Sequence, residues 1–203
     1  MNRLLTPDQD SIPVFGSVTG IDLPGPFFSV CDGVELRAGV FDVFSSPMLA
    51  FAAPASEGQH TPRTWVAVHG GFTFKSRVEL AIKNMRSFAD LLPSQATWTV
   101  AALVRLRIEV PVRISALANI PLATLPEYRT ATAVAFEGFP FQTGVFRTGM
   151  HRLGTDDIEW LSSTLPIVRE LLRCDRFYRA FTLYDSAFWS NRVELSVTIL
   201  WTA

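Results

Sequence analysis

The first third of the chain is built from short runs of β-branched, aromatic and other apolar residues, the pattern that β-strands show. These runs span residues 27–44, 47–54 and 64–74. The dipeptide Asp32-Gly33 inside the first run predicts a tight hairpin turn. Residues 1–26, which contain four prolines and three glycines, are predicted to be mostly extended. We therefore expect an antiparallel sheet in this part of the chain.

The hydrophobic period changes at Ser76, which has the capping-box spacing to Glu79. Apolar residues then recur at helical intervals, so we predict a helix that ends at Leu92-Pro93. These apolar positions are Val78, Ile82, Met85 and Ala89.

The stretch 95–107 fits both a helix and a strand. Its first half has apolar residues at helical spacing, whereas its second half begins an alternation that continues to Ile114. A helix that passes into a strand near Ile108 satisfies both patterns. A further strand is predicted at 128–139.

The last quarter of the chain has a helical pattern. Thr155 is predicted to cap one helix, Asp175 to open a second, and Ser190 or Asn191 to cap a third. Pro166 lies inside the first of these and is expected to kink it or divide it in two.

The predicted fold class is α+β. A mixed, β-rich N-terminal domain occupies residues 1–150, and residues 151–203 form a short helical segment, an incomplete helical bundle. A chain of 203 residues is long enough to bury a sizeable core.

Composition adds an expectation about partners. Hydrophobic residues make up 48% of the chain and charged residues 18%, and the mean hydropathy is +0.23. This balance predicts that a partner covers some apolar surface, or that part of the natural chain is missing. A net charge of −1 gives no electrostatic argument for nucleic acid or an acidic membrane.

Targeting signals and cysteines point to an intracellular chain. No apolar run reaches the roughly 18 residues that a spanning helix needs. The N-terminus lacks the apolar core of a signal peptide, so a cytoplasmic location without membrane binding is predicted. Cys31 and Cys174 are expected to be reduced, buried thiols.

Candidate catalytic chemistry is sparse. The three histidines lie apart and form no metal-binding motif, and glycine spacing fits no phosphate loop, so no metal or cofactor is predicted. His60 is expected in a solvated loop and His151 at the surface or at a helix cap. His69, before Gly70-Gly71, is the histidine most suited to a site. The candidates for a pocket within residues 60–140 are His69, Arg105, Arg107 and Glu137.

Aromatic residues line the predicted helix after Asp175, at the spacing of a core or helix–helix interface. Asp185 lies among them and is expected to form a structural ion pair with Arg179 or Arg192. The predicted interface residues are Phe181, Tyr184, Phe188, Val197, Leu200 and Trp201.

The segment FYRAFTLYDSAFWSNRVELSVTILWTA (177–203) resembles the start of an Apea-like HEPN helical domain of bacterial proteins. The preceding DDIEWLSSTLPIVREL (156–171) resembles the lead-in helix of such proteins. The positions that carry the resemblance are Phe177, Ala180, Tyr184 and Ala187, followed by Leu195, Leu200, Trp201 and Ala203.

The resemblance implies a helical bundle, frequent dimerisation and, in active members, metal-independent RNA cleavage by an Arg-x(4–6)-His pair at a helix start. That pair would lie beyond Ala203, so we expect a chain that is truncated or naturally short. Arg63 and His69 have the required separation but lie in a strand-like run, and Arg147 and His151 are one residue too close. The resemblance therefore assigns no catalytic residue here.

Three functional hypotheses follow. The leading one is a non-catalytic sensory or interaction region of a HEPN-like protein related to RNA or defence, with RNA as a partner only by resemblance. The second is a small-molecule-binding or hydrolytic domain with its pocket in residues 60–140. The third is a dimeric interaction protein whose C-terminal helices bind a second copy.

Overall fold

A computed structural model describes residues 13–42, 75–88, 91–108, 110–127, 134–136, 150–187 and 198. Its strands are β1 Val14–Thr19, β2 Ile21–Asp22, β3 Phe27–Cys31, β4 Val34–Asp42, β5 Lys75–Ile82, β6 Arg113–Ala118, β7 Val134–Phe136 and β8 His151–Arg152. Its helices are α1 Pro93–Arg107, α2 Thr155–Leu171 and α3 Asp175–Ala187, with short 3-10 helices at Met85–Phe88 and Leu122–Glu127. The fold class is α+β, as the sequence predicts.

Six strands form an antiparallel sheet in the order β3-β4-β5-β1-β6-β7. The predicted hairpin at Asp32-Gly33 joins β3 to β4, and Gly33 has a φ of 74°, which glycine adopts without strain. Strand β1, within a segment predicted only to be extended, lies between β5 and β6. Strands β2 and β8 form a separate parallel pair.

The helix predicted from Ser76 is wrong, because this segment is strand β5. Both faces of β5 are buried: Leu80 and Ile82 lie in the core, and Glu79 and Ala81 are equally inaccessible on the opposite face. A strand buried on both faces lacks clean alternation, so its apolar residues also match helical spacing.

Ser76 and Pro93 have different roles from those predicted. The Ser76 hydroxyl donates to the backbone carbonyls of Val18 (3.0 Å) and Val78 (2.9 Å), within the sheet. Pro93 begins helix α1 instead of ending one, since proline suits the first helical position.

The stretch 95–107, which fits both a helix and a strand by its sequence, is helical. The chain leaves α1 at Ile108 and enters strand β6 at Arg113, in line with a helix that passes into a strand.

Helix α2 packs on the sheet through Ile158, Leu161, Leu165 and Val168, all buried in the core that also contains residues of the sheet and α1. Pro166 is exposed and does not divide the helix, because buried residues on either side of it hold one continuous helix against the core. The core thus includes residues from both sides of residue 150, where the sequence places a domain boundary. That boundary stays a prediction.

Arg169 connects α2 to the end of strand β3 and to the 3-10 helix Met85–Phe88. Its Nε donates to the Ser87 carbonyl (2.7 Å), its Nη1 lies 3.1 Å from Cys31 Sγ, and its guanidinium carbon lies 5.1 Å from the Phe88 ring centroid. Burial raises the pKa of the Cys31 thiol, and Arg169 offsets this only in part. Both cysteines are free, as expected, but Cys174 is exposed in the turn after α2 and not buried as predicted.

Candidate functional site

Helix α1 carries two of the four candidate site residues, Arg105 and Arg107. They are two positions apart on an α-helix, so their side chains point about 200° apart around its axis. Arg105 faces α3, whereas Arg107 faces the start of α2. The other two candidates, His69 and Glu137, lie outside the described residues.

The Arg105 side chain is fully buried. Its Nη1 donates to the Val112 carbonyl (2.5 Å), its Nη2 pairs with Asp185 Oδ1, and its guanidinium carbon lies 5.5 Å from the Trp98 ring centroid. Burial lowers the pKa of Arg105 to about 9, and electrostatic attraction to Tyr184 acts in the opposite direction. The guanidinium therefore remains charged at neutral pH. The Asp185 carboxylate beside it offsets the cost of burying this charge.

The ion pair predicted for Asp185 exists, but its partner is Arg105 and not the predicted Arg179. Asp185 and Arg179 are six positions apart on α3, about 240° around the helix, and Arg179 is exposed. The other predicted partner, Arg192, lies outside the described residues.

A second contact fixes the relative direction of α1 and α3. Gln95 Nε2 donates to Tyr178 Oη (3.1 Å) near the start of both helices, and the Arg105–Asp185 pair lies near their ends. The two helices therefore run parallel. We call these residues, with Trp98, the α1–α3 contact.

The aromatic residues of α3 pack on the chain itself. The rings of Phe177 and Phe181 stack with centroids 5.7 Å apart, and Phe181 lies 6.3 Å from Tyr184. Phe177, Tyr178 and Phe181 are half-buried against the core. Of the predicted interface residues, Phe181 and Tyr184 are thus partly covered by their own chain. The remaining four, Phe188, Val197, Leu200 and Trp201, lie outside the described residues.

Arg107 forms a more exposed cluster with residues around the start of α2. Its Nε donates to Asp157 Oδ1 (2.8 Å), and its guanidinium carbon lies 5.9 Å from the Trp160 ring centroid. Asp157 Oδ2 accepts the Gly154 N–H (2.9 Å) and lies 3.8 Å from His151 Nε2. His151 is 41% exposed and Arg107 39%, so this cluster is open to solvent.

The Asp157 carboxylate is the centre of this exposed cluster. Its partial burial tends to raise its pKa, but the hydrogen bonds from Gly154 and Arg107 outweigh burial and hold the pKa below the usual aspartate value. The carboxylate therefore stays ionised and caps α2, a structural role that favours helix formation.

The sheet face opposite the helices carries an ionic network that the sequence did not suggest. Glu79 is buried and accepts the Leu122 N–H (2.5 Å) and Arg37 Nη1 (3.3 Å). Arg37 also binds Glu35 (2.6 Å), which pairs with Lys83. Burial raises the pKa of Glu79, and Leu122 and Arg37 offset this only in part.

Ser17 of β1 lies directly opposite Glu79 of β5, so both side chains are on this face. The Ser17 hydroxyl is inaccessible to solvent and has no hydrogen-bond partner among the described residues. Charged and apolar residues alternate in β4 (Val34-Glu35-Leu36-Arg37), and this alternation predicts a charged sheet face. That Glu79 is the partner of Arg37 follows only from the register between β4 and β5.

Within the ranges that the structure describes, no three His, Cys, Asp or Glu side chains are grouped so that they could hold a metal ion. None of the helices in those same ranges combines the length and the hydropathy of a bilayer-spanning segment. Comparison of the chain with protein-family models, curated proteins and solved structures found no match.

Proposed function

We propose that this chain is a non-catalytic interaction region, of the sensory kind found in HEPN-like proteins, and that its C-terminal helices bind a second copy. The proposal includes a cytoplasmic location and an RNA-related or defence-related role for the whole protein. The observation that carries it is the surface of α2 and α3, where three large apolar side chains remain exposed: Ile167 (60%), Leu171 (42%) and Leu183 (41%).

Two further observations support this proposal. Arg105 and Arg107, the described candidates for catalysis, each bind an aspartate of another helix, and these ion pairs support a structural role for both. A net charge of −1 also produces little repulsion between two copies.

Light scattering of the purified chain at micromolar concentration tests the interaction. A dimer is expected, and Ile167→Glu with Leu171→Glu should convert it to a monomer, because two carboxylates would enter an apolar interface. The control is Thr155→Glu, an exposed polar position at the start of the same helix and twelve positions from Ile167, which should leave the dimer intact. A wild-type chain that is monomeric throughout this range would contradict the proposal.

An RNA-cleavage assay tests the non-catalytic part. No metal-independent cleavage is expected from the 203-residue chain. Robust cleavage that is lost on His69→Ala would overturn this part of the proposal.

A small-molecule-binding domain is the second candidate, and one observation favours it. Glu79, within the predicted pocket range 60–140, is a buried carboxyl with a raised pKa beside the buried Ser17 hydroxyl, and such groups concentrate at functional sites. A thermal-shift screen with small polar metabolites tests this candidate. Stabilisation that disappears in Glu79→Gln but persists in the exposed control Glu159→Gln would support it, and no stabilisation by any compound would exclude it.

A further inference from the structure

The 3-10 helix Leu122–Glu127 packs against β4 and β1, on the sheet face opposite the α-helices. Its first residue makes a polar contact with the sheet, because the Leu122 N–H donates to Glu79 Oε2 (2.5 Å). The side chains of Leu122 and Glu79 are both almost inaccessible to solvent. The attachment of this segment therefore includes a carboxyl group that is enclosed between the segment and the sheet.

The negative charge of an ionised Glu79 is only partly compensated in this position. Arg37 Nη1 lies 3.3 Å from Glu79 Oε1. Arg37 binds Glu35 more closely, with Nη2 2.6 Å from Glu35 Oε2, so two carboxylates share this guanidinium. The Ser17 hydroxyl, directly opposite Glu79, makes no hydrogen bond to it. A carboxylate offers about four acceptor sites, and this one has two donors, one of them shared.

The elements around Glu79 supply little further charge among the described residues. Lys83, four positions along β5, pairs with Glu35 and is 49% exposed. Strand β1 contains no charged residue, and the described side chains of the 3-10 helix, residues 122–124, are uncharged too. Arg37 is therefore the cation that faces Glu79 directly, and Glu35 is the competing anion.

Proton uptake by Glu79 removes the uncompensated charge and keeps the attachment. Burial raises the pKa of Glu79, and the Leu122 N–H and Arg37 offset this only in part. A neutral carboxyl group still has an oxygen that accepts the Leu122 N–H. If the 3-10 helix moves away from the sheet, Glu79 becomes hydrated and its pKa returns towards the ordinary value. The attached state thus binds the proton more tightly than the detached state.

We propose that Glu79 is a proton-controlled latch: proton uptake by its buried carboxyl group holds the 3-10 helix Leu122–Glu127 on the sheet, and proton loss weakens this attachment. Because the pKa is raised in the attached state, the added stability is fully present below the ordinary glutamate pKa of about 4.3. It is lost as the pH rises through the higher, attached-state value. Detachment would expose Leu122, which is otherwise buried. This inference is independent of the proposed function.

Hydrogen exchange of the Leu122 amide, measured by NMR on the full chain, tests the latch. The protection factor of this amide, which corrects for the intrinsic pH dependence of exchange, should fall several-fold between about pH 4.5 and about pH 8. Glu79→Gln replaces the carboxyl group by a neutral group of the same shape, so its Leu122 protection factor should not vary with pH. Glu159→Gln, which removes an exposed carboxylate of α2, is the control and should keep the wild-type dependence.

The titration of Glu79 itself is a second measurement, and it needs no variant. The carbon-13 signal of the Glu79 carboxyl group should titrate with a midpoint above the ordinary glutamate value, and the change in Leu122 protection should share that midpoint.

Three results would overturn the latch. The first is a Glu79 midpoint at or below the ordinary value. The second is a Leu122 protection factor that is independent of pH in the wild type, or whose pH dependence persists in Glu79→Gln. The third is a parallel fall in protection of the buried Leu80 amide on β5, which would mean that the whole sheet unfolds and not the 3-10 helix alone.

Discussion

Arg105 and Arg107 lie on the same helix and each binds an aspartate of a later helix, yet their surroundings are opposite. The Arg105–Asp185 pair joins α1 to α3 with the arginine side chain fully buried. The Arg107–Asp157 pair joins α1 to the start of α2 with 39% of the arginine side chain exposed. Two positions along a helix therefore separate an interior ion pair from a surface one.

Burial determines how much each ion pair contributes to stability. An exposed pair is hydrated in both the folded and the unfolded state, so it contributes about 0.2–1 kcal/mol. A buried pair is costly to form, but breaking it leaves an uncompensated charge in the interior, which costs about 3–5 kcal/mol. The stability of the α1–α3 contact should thus depend on keeping both of its charges together.

Arg105→Ala should cause the greatest loss of stability, because it leaves Asp185 and the Val112 carbonyl without their partner. We expect the free energy of unfolding, measured by urea denaturation, to fall by about 3–5 kcal/mol. Arg107→Ala is the matched control on the same helix and should cost less than about 1 kcal/mol. Equal losses of unfolding free energy in the two variants would mean that burial does not distinguish the two ion pairs.

Replacing both members of the buried pair separates the cost of a single uncompensated charge from the contribution of the pair itself. Arg105→Met with Asp185→Leu removes the buried charges together and fills their volume with apolar groups. We expect this variant to be more stable than Arg105→Ala by about 2 kcal/mol. If urea denaturation finds it no more stable, the loss in Arg105→Ala has another cause, such as the cavity or the Val112 carbonyl.

The sequence predicts local features of this fold well. The turn at Asp32-Gly33 and the starts of α2 and α3 depend on neighbouring residues whose types favour a turn or a helix start, so they can be read from short segments. Strand β5 cannot be predicted from its local sequence, because burial of both faces removes the alternation that identifies a strand.

The candidate site was only partly predictable for a related reason. The sequence predicts a cation beside Asp185, since a carboxylate among aromatic residues is costly to bury. Its partner Arg105 lies far away in the chain and is brought to it by the packing of α3 on α1, which no local pattern encodes. The meeting of Glu79 with Arg37 depends in the same way on strand register.

A smaller, pH-dependent effect is expected from the exposed region. Because the pKa of Asp157 is lower in the folded chain than its usual value, its contribution to stability is present above about pH 4 and is lost as the pH falls through the folded value. The difference in unfolding free energy between the wild type and Asp157→Asn should therefore shrink between pH 7 and strongly acidic pH. A difference that is constant over this range would contradict an ionised, hydrogen-bonded Asp157.

The most direct test of this account is a double-mutant cycle across Arg105 and Asp185, with a parallel cycle across Arg107 and Asp157, both measured by urea denaturation at neutral pH. Alanine variants taken singly and together give the coupling free energy of each pair. We predict a coupling of about 2 kcal/mol or more for the buried pair and less than about 1 kcal/mol for the exposed one. Couplings of equal size would contradict the claim that a buried ion pair holds α3 on α1.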